Sequence, residues 1–161
     1  MTYEALLEYA DTQNLIVREK YIPGYAGRIY DNRIAIHKDI KTQSEKACVL
    51  AEELGHYHTN YGDVLDQSDI RNRKQEYKAR LWGYNMQIGL LGIIQVFEHG
   101  CHNLSEAAEF LNVPENYFIS AIECYKRKYG LYVNVDNYTI FLILYLRCIK
   151  HFNSHIILNF S

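Results

Sequence analysis

Proline is scarce, with two among 161 residues, and no segment is of low complexity or internally repeated, so nothing reads as a linker. Charge of one sign is missing too. Seventeen Lys and Arg stand against 19 Asp and Glu, for a formal net charge of -2 and a pI near 6.4. That balance excludes the basic surface needed for indiscriminate nucleic-acid binding. Long hydrophobic runs are absent. The most apolar stretch near the C-terminus, Tyr138 to Leu146, stops at Arg147 and falls far short of the roughly 20 residues that span a bilayer. The N-terminus, MTYEALLEYAD, carries acids where a secretory signal would carry a basic region and an apolar run, so a cytoplasmic location is expected. Cys48, Cys101, Cys124 and Cys148 form no CxxC pair, which points to reduced thiols rather than a disulfide framework. What remains is 18.9 kDa, 48% hydrophobic and rich in tyrosine, the size of one domain able to bury a core without staples.

The patterning is mostly helical. Residues 3–13 place Leu6, Leu7 and Ala10 on one face of a short helix. Over about 15–38, β-branched and aromatic residues predict a small sheet, with Asp31-Asn32 as the turn between two alternating segments, 27–30 and 33–37. Thr42-Gln-Ser-Glu45 is a capping box opening a helix over about 43–58. A polar loop, 59–72, leads to a long helix over about 73–97, and two further helices follow across 103–129, ending at Gly130. Residues 131–141 alternate as a strand would.

On a helical wheel, Ala47, Leu50, Ala51 and Leu54 share the core face, while Val49, Glu52, Glu53 and His56 lie opposite. Glu52 and His56 are four apart and project toward one point, with Glu53 beside them. Two acids and an imidazole on one helix face suit a divalent metal with an adjacent general base. The same spacing is equally that of a solvated surface pair. His58 lies roughly 160° around the helix from His56, so the two cannot reach one metal while the helix continues. On the next helix, Glu76, Ala79, Arg80, Gly83 and Gln87 form a stripe. The small residues in it would let the two helix axes approach until Glu76 reached the same metal. Tyr77, Leu81, Tyr84 and Ile88 form a core stripe.

VLAEELGHYHTNYGDVLD followed by NRKQEYKARLWGYNMQIGLLGII resembles the ImmA/IrrE family of metallo-endopeptidases, in the branch carried by phages and integrative elements. The likeness extends from about residue 3 to 141. It implies an α+β, zincin-like fold: a metallopeptidase core over 1–100, a helical subdomain and last strand over 101–141, and an atypical tail over 142–161. Members usually carry His-Glu-x-x-His. Here the motif is Glu52-Glu53-Leu54-Gly55-His56, with glutamate replacing the first histidine. The resemblance makes His56, Glu76 and Glu52 the metal ligands and Glu53 the general base. Zn2+ is the expected ion, although two carboxylates also suit Mn2+ or another divalent ion. Tyr57, His58 or Tyr61 would assist at the oxyanion, and Asp63 or Asp66 would support the ligands. The implied substrate is a helix-turn-helix repressor of a phage or other mobile element. The alternative is a catalytically silent anti-repressor that binds the same partner.

Other groupings read as less specific. His37 reads as an exposed strand residue. His99 and His102 flank Cys101 without a matching second pair of ligands. The helix pair 103–128 has the cadence of a helix-turn-helix, but its basic residues Lys126, Arg127 and Lys128 lie at the wrong end for base recognition, so no direct contact with nucleic acid is expected. The edge of the hairpin around Arg33–His37 is expected to pair with an extended substrate strand. The tail, 142–161, is an added strand or helix, a dimer contact or an altered reading frame.

Overall fold

The computed structural model describes residues 1–59, 69–143 and 147–151. Tyr61, Asp63 and Asp66 therefore lie outside the described residues. Helix α1 (Tyr3–Thr12) starts where the Thr2 hydroxyl accepts from the Ala5 N–H at 3.2 Å, and it buries Tyr3, Leu6 and Ala10. Three short strands follow: β1 (Ile16–Lys20), β2 (Gly27–Tyr30) and β3 (Arg33–His37). Asp31 adopts φ 55° in the tight turn from β2 to β3, a conformation that Asp tolerates well. The sheet order is β1-β3-β2, with β1 parallel and β2 antiparallel to β3. This corrects one expectation. Strand β3 is central and its peptide groups are already paired on both sides, so β2 is the edge near the chemistry-bearing helix.

That helix, α2 (Gln43–Thr59), opens on the capping box: the Thr42 hydroxyl accepts from the Glu45 N–H at 3.2 Å, and the Glu45 carboxylate accepts from the Thr42 N–H at 3.4 Å. The helix expected over 73–97 is two helices, α3 (Asp69–Gln87) and α4 (Gly89–His99). The break falls between Ile88 and Gly89: Gly89, the first residue of α4, has a φ of 63° that cannot continue α3, and its N–H donates to the Tyr125 hydroxyl at 3.1 Å. Helix α5 (Leu104–Phe110) is capped by Asn103, and α6 (Glu115–Tyr129) stops at Gly130 with φ 86°. The alternating segment 131–141 is a hairpin rather than one strand. It comprises β4 (Tyr132–Val135) and β5 (Tyr138–Phe141), and β6 (Arg147–Lys150) pairs antiparallel with β5. Part of the tail is thus an added strand. All four cysteines are unpaired.

Two hydrophobic clusters form the core. One gathers α1, the first sheet and the inner face of α2, through Leu6, Ile34, Ile36, Leu50 and Leu54. The other joins α3 to α6 and the second sheet, through Tyr84, Ile93, Phe118, Tyr125 and Ile140. Cys48 of α2 belongs to the second cluster and Ala47 to the first, so α2 is wedged between them. No described helix is long and apolar enough to cross a membrane.

Candidate metal centre

Backbone proximity builds this site. A Cβ placed on Gly55 of α2 would lie 2.2 Å from the Ala79 carbonyl oxygen of α3, and one on Gly83 of α3 would lie 3.1 Å from the Ala51 carbonyl oxygen of α2. The two helices therefore meet almost backbone to backbone, along the small-residue seam that the stripe of Ala79 and Gly83 foreshadows. Glu52 and His56, one turn apart on α2, thereby face Glu76 on α3. One ligand atom from each lies within 4.8 Å of the other two, and this is the only grouping of three such residues among those described. His56 Nε2 is 3.4 Å from Glu76 Oε2. Two carboxylates and an imidazole, partly exposed and converging from two rigid helices, fit a divalent cation in donor type and number.

Arg80 shares this cluster; its place on the stripe with Glu76 is visible in the sequence, but its role is not. Its Nε lies 2.7 Å from Glu76 Oε1 and 3.3 Å from Glu52 Oε1. Its position one turn after Glu76 is the signal that could have found it. Burial works against the charge of Arg80, but Glu52 and Glu76 outweigh it and hold the pKa above its ordinary value. Glu52 is shifted upward, chiefly by burial, with Arg80 opposing and Glu76 adding to the rise.

Glu53 stands apart from its neighbours because strand β2 covers it. The wheel places it opposite the core face, yet it is only 8% exposed. Gly27 of β2 makes this possible, since a Cβ there would come within 2.8 Å of the Glu53 carboxylate and 2.6 Å of Val49. Burial, reinforced by the charge of Glu52, raises the Glu53 pKa to about 7, while a hydrogen bond from the Ile29 backbone N–H pulls it the other way. A carboxylate poised near neutrality beside three groups that could hold a metal ion is suited to general-base work.

The remaining sequence candidates lie elsewhere. Helix α2 continues through Thr59, and His58 turns to the α1 side, where its ring stacks on Trp82 at 4.7 Å and its Nε2 meets the Tyr9 hydroxyl at 3.0 Å. Tyr57 packs edge-on to His58 and against the first core cluster. Neither is brought to the Glu52, His56 and Glu76 group. His37 accepts from the Asp39 N–H through Nδ1 and meets the edge of Tyr21; it is part-buried, not the exposed strand residue expected. His99 stacks on Phe110 at 4.4 Å.

A Glu-Glu-x-x-His helix, a glutamate supplied by the following helix and a small mixed sheet whose edge strand covers the candidate base together define a zincin-like metallopeptidase fold. The IrrE N-terminal-like domain of peptidase family M78 matches residues 3–123, about three quarters of the chain, and the chain belongs to that family. A comparison with curated proteins found no match.

Proposed function

We propose that the protein is a metal-dependent endopeptidase that cleaves a helix-turn-helix repressor of a phage or other mobile element, acting in the cytoplasm. The observation that carries this reading is the convergence of Glu52, His56 and Glu76 beside a buried Glu53 whose pKa lies near 7. A divalent ion, Zn2+ first and Mn2+ second, would be held by those three residues and would supply Lewis-acid polarisation. Glu53 would take a proton from the water attacking the scissile carbonyl and return it to the departing amine as the C–N bond breaks. An extended segment of the substrate would add to the free edge of β2, whose residues Gly27 and Ile29 lie against Glu53. The repressor as substrate follows from the resemblance to ImmA/IrrE proteins.

One observation favours a second reading, a catalytically silent protein that binds the repressor. The first histidine of the usual motif is Glu52, and Glu52 is paired with Arg80. Metal content separates the two. By elemental mass spectrometry, the purified chain dialysed against Zn2+ or Mn2+ is expected to carry about one ion, and His56→Ala and Glu76→Ala to carry almost none, because each removes one of only three ligands. Retention of the ion in both variants would place it elsewhere. A chain that takes up no ion at all would favour the silent binding protein.

A further inference from the structure

The geometry points to Arg80 as an internal cation that occupies the Glu52 and Glu76 carboxylates and has to leave them before a divalent ion can use both. This inference rests on the metal site proposed above and concerns what controls its affinity. The Arg80 side chain rises from α3 one turn beyond Glu76 and spans the two helices, with Nε 2.7 Å from Glu76 Oε1 and 3.3 Å from Glu52 Oε1. Metal–oxygen bonds are only about 2 Å long. An ion ligated by both carboxylates would therefore sit within a few ångström of the guanidinium, where two positive charges repel strongly.

Arg80 has somewhere to go. Its side chain is 53% exposed, and the long stem can carry its head into water. Neutral imidazole at position 52 would offer no carboxylate to hold the guanidinium, whereas Glu52 does. The glutamate that departs from the usual motif and the arginine thus form one device, which makes metal binding a competition between two cations for the same oxygens. The chain's apparent affinity is then its intrinsic affinity reduced by the fraction of molecules in which Arg80 is already displaced.

Isothermal titration of the full-length, metal-stripped chain with Zn2+ and with Mn2+ tests this directly, comparing wild type with Arg80→Gln and Arg80→Lys. Removing the charge in Arg80→Gln is expected to tighten binding by about tenfold or more, as for a competitor bound in most molecules. Arg80→Lys keeps the charge and is expected to stay within about threefold of wild type. Equal or weaker binding by Arg80→Gln would overturn the competition while leaving the metal site intact. Equal tightening in both variants would also overturn it, because charge would not be the cause. Binding of neither ion by any of the three chains would remove the metal site itself, and this inference with it.

Discussion

Gly55→Ala is expected to lower the unfolding midpoint by roughly 4–12 °C, read by thermal denaturation, and to abolish metal binding at the same time. Two effects compete at this position. Alanine is the better helix former by about 1 kcal/mol. Its methyl group, however, would sit 2.2 Å from the Ala79 carbonyl oxygen, a backbone atom that cannot rotate aside. Relieving that overlap means parting α2 from α3; overpacking costs about 1–3 kcal/mol and occasionally more, and a clash with backbone belongs at or above the upper end. The clash wins, and in a domain of this size about 2–3 kcal/mol of net loss gives the stated shift in midpoint. Separation of the helices also draws Glu76 away from Glu52 and His56. The same change at Gly83 sets the scale: its Cβ would stand 3.1 Å from the Ala51 carbonyl oxygen, so Gly83→Ala should shift the midpoint and the metal affinity less. A Gly55→Ala chain as stable as wild type would refute the close backbone contact.

Glu53→Gln should do two opposite things. With a purified repressor as substrate, cleavage is expected to fall by about 10²–10⁴-fold, the usual contribution of a general base, while repressor binding is retained. The metal-free chain, meanwhile, should become more stable. The Glu53 pKa is raised from its ordinary 4.5 to about 7, so between those values the folded chain holds a proton that the unfolded chain releases. Stability contributed by this group is present below pH 4.5 and is lost as the pH rises to about 7. The loss is about 3 kcal/mol at most. A glutamine carries no charge to desolvate, and its carbonyl oxygen can still accept from the Ile29 N–H. Denaturant unfolding at pH 8 should accordingly favour Glu53→Gln, and the advantage should vanish by pH 4.5. A variant equal to wild type at both pH values would mean that Glu53 is not held in a desolvated setting. Unchanged cleavage would remove its catalytic role.

Much of this architecture is legible in local chemistry. The capping box at Thr42 and Glu45, the Asp31 turn, the Asn103 cap and the Gly130 stop each fix a boundary through contacts within a few residues. The approach of α3 to α2 is legible as well, in the small Ala79 and Gly83. What escapes is set by long-range packing. Gly89 looks like one more small residue in an apolar run, yet the helix breaks there, and its N–H donates to the Tyr125 hydroxyl of α6, a partner far along the chain. The alternating residues of β3 predict a strand but not its place between β1 and β2, so they do not show that the free edge belongs to β2. A wheel drawn for α2 alone shows Glu53 on the open side and cannot show β2 lying over it. Gly55 carries no local signal of its role; in the fold it lets the Ala79 carbonyl of α3 press against α2. Arg80 is visible as a member of a stripe, but its bond to Glu52 crosses between helices and has no sequence spacing to betray it.

The position of α2 between the two hydrophobic clusters also governs how the chain opens. Core side chains hold it from both sides, Leu50 and Leu54 on one and Cys48 on the other, whereas β2 is paired on one side only. Local fluctuations that free the edge strand need not disturb the helix, but exposing the helix requires disrupting both clusters. Amide hydrogen exchange should therefore divide the site into two rates, with slow, near-global protection for Ala51 to Leu54 and much faster exchange along Gly27 to Tyr30. The candidate ligands on α2 would remain fixed while the strand above them opens and closes.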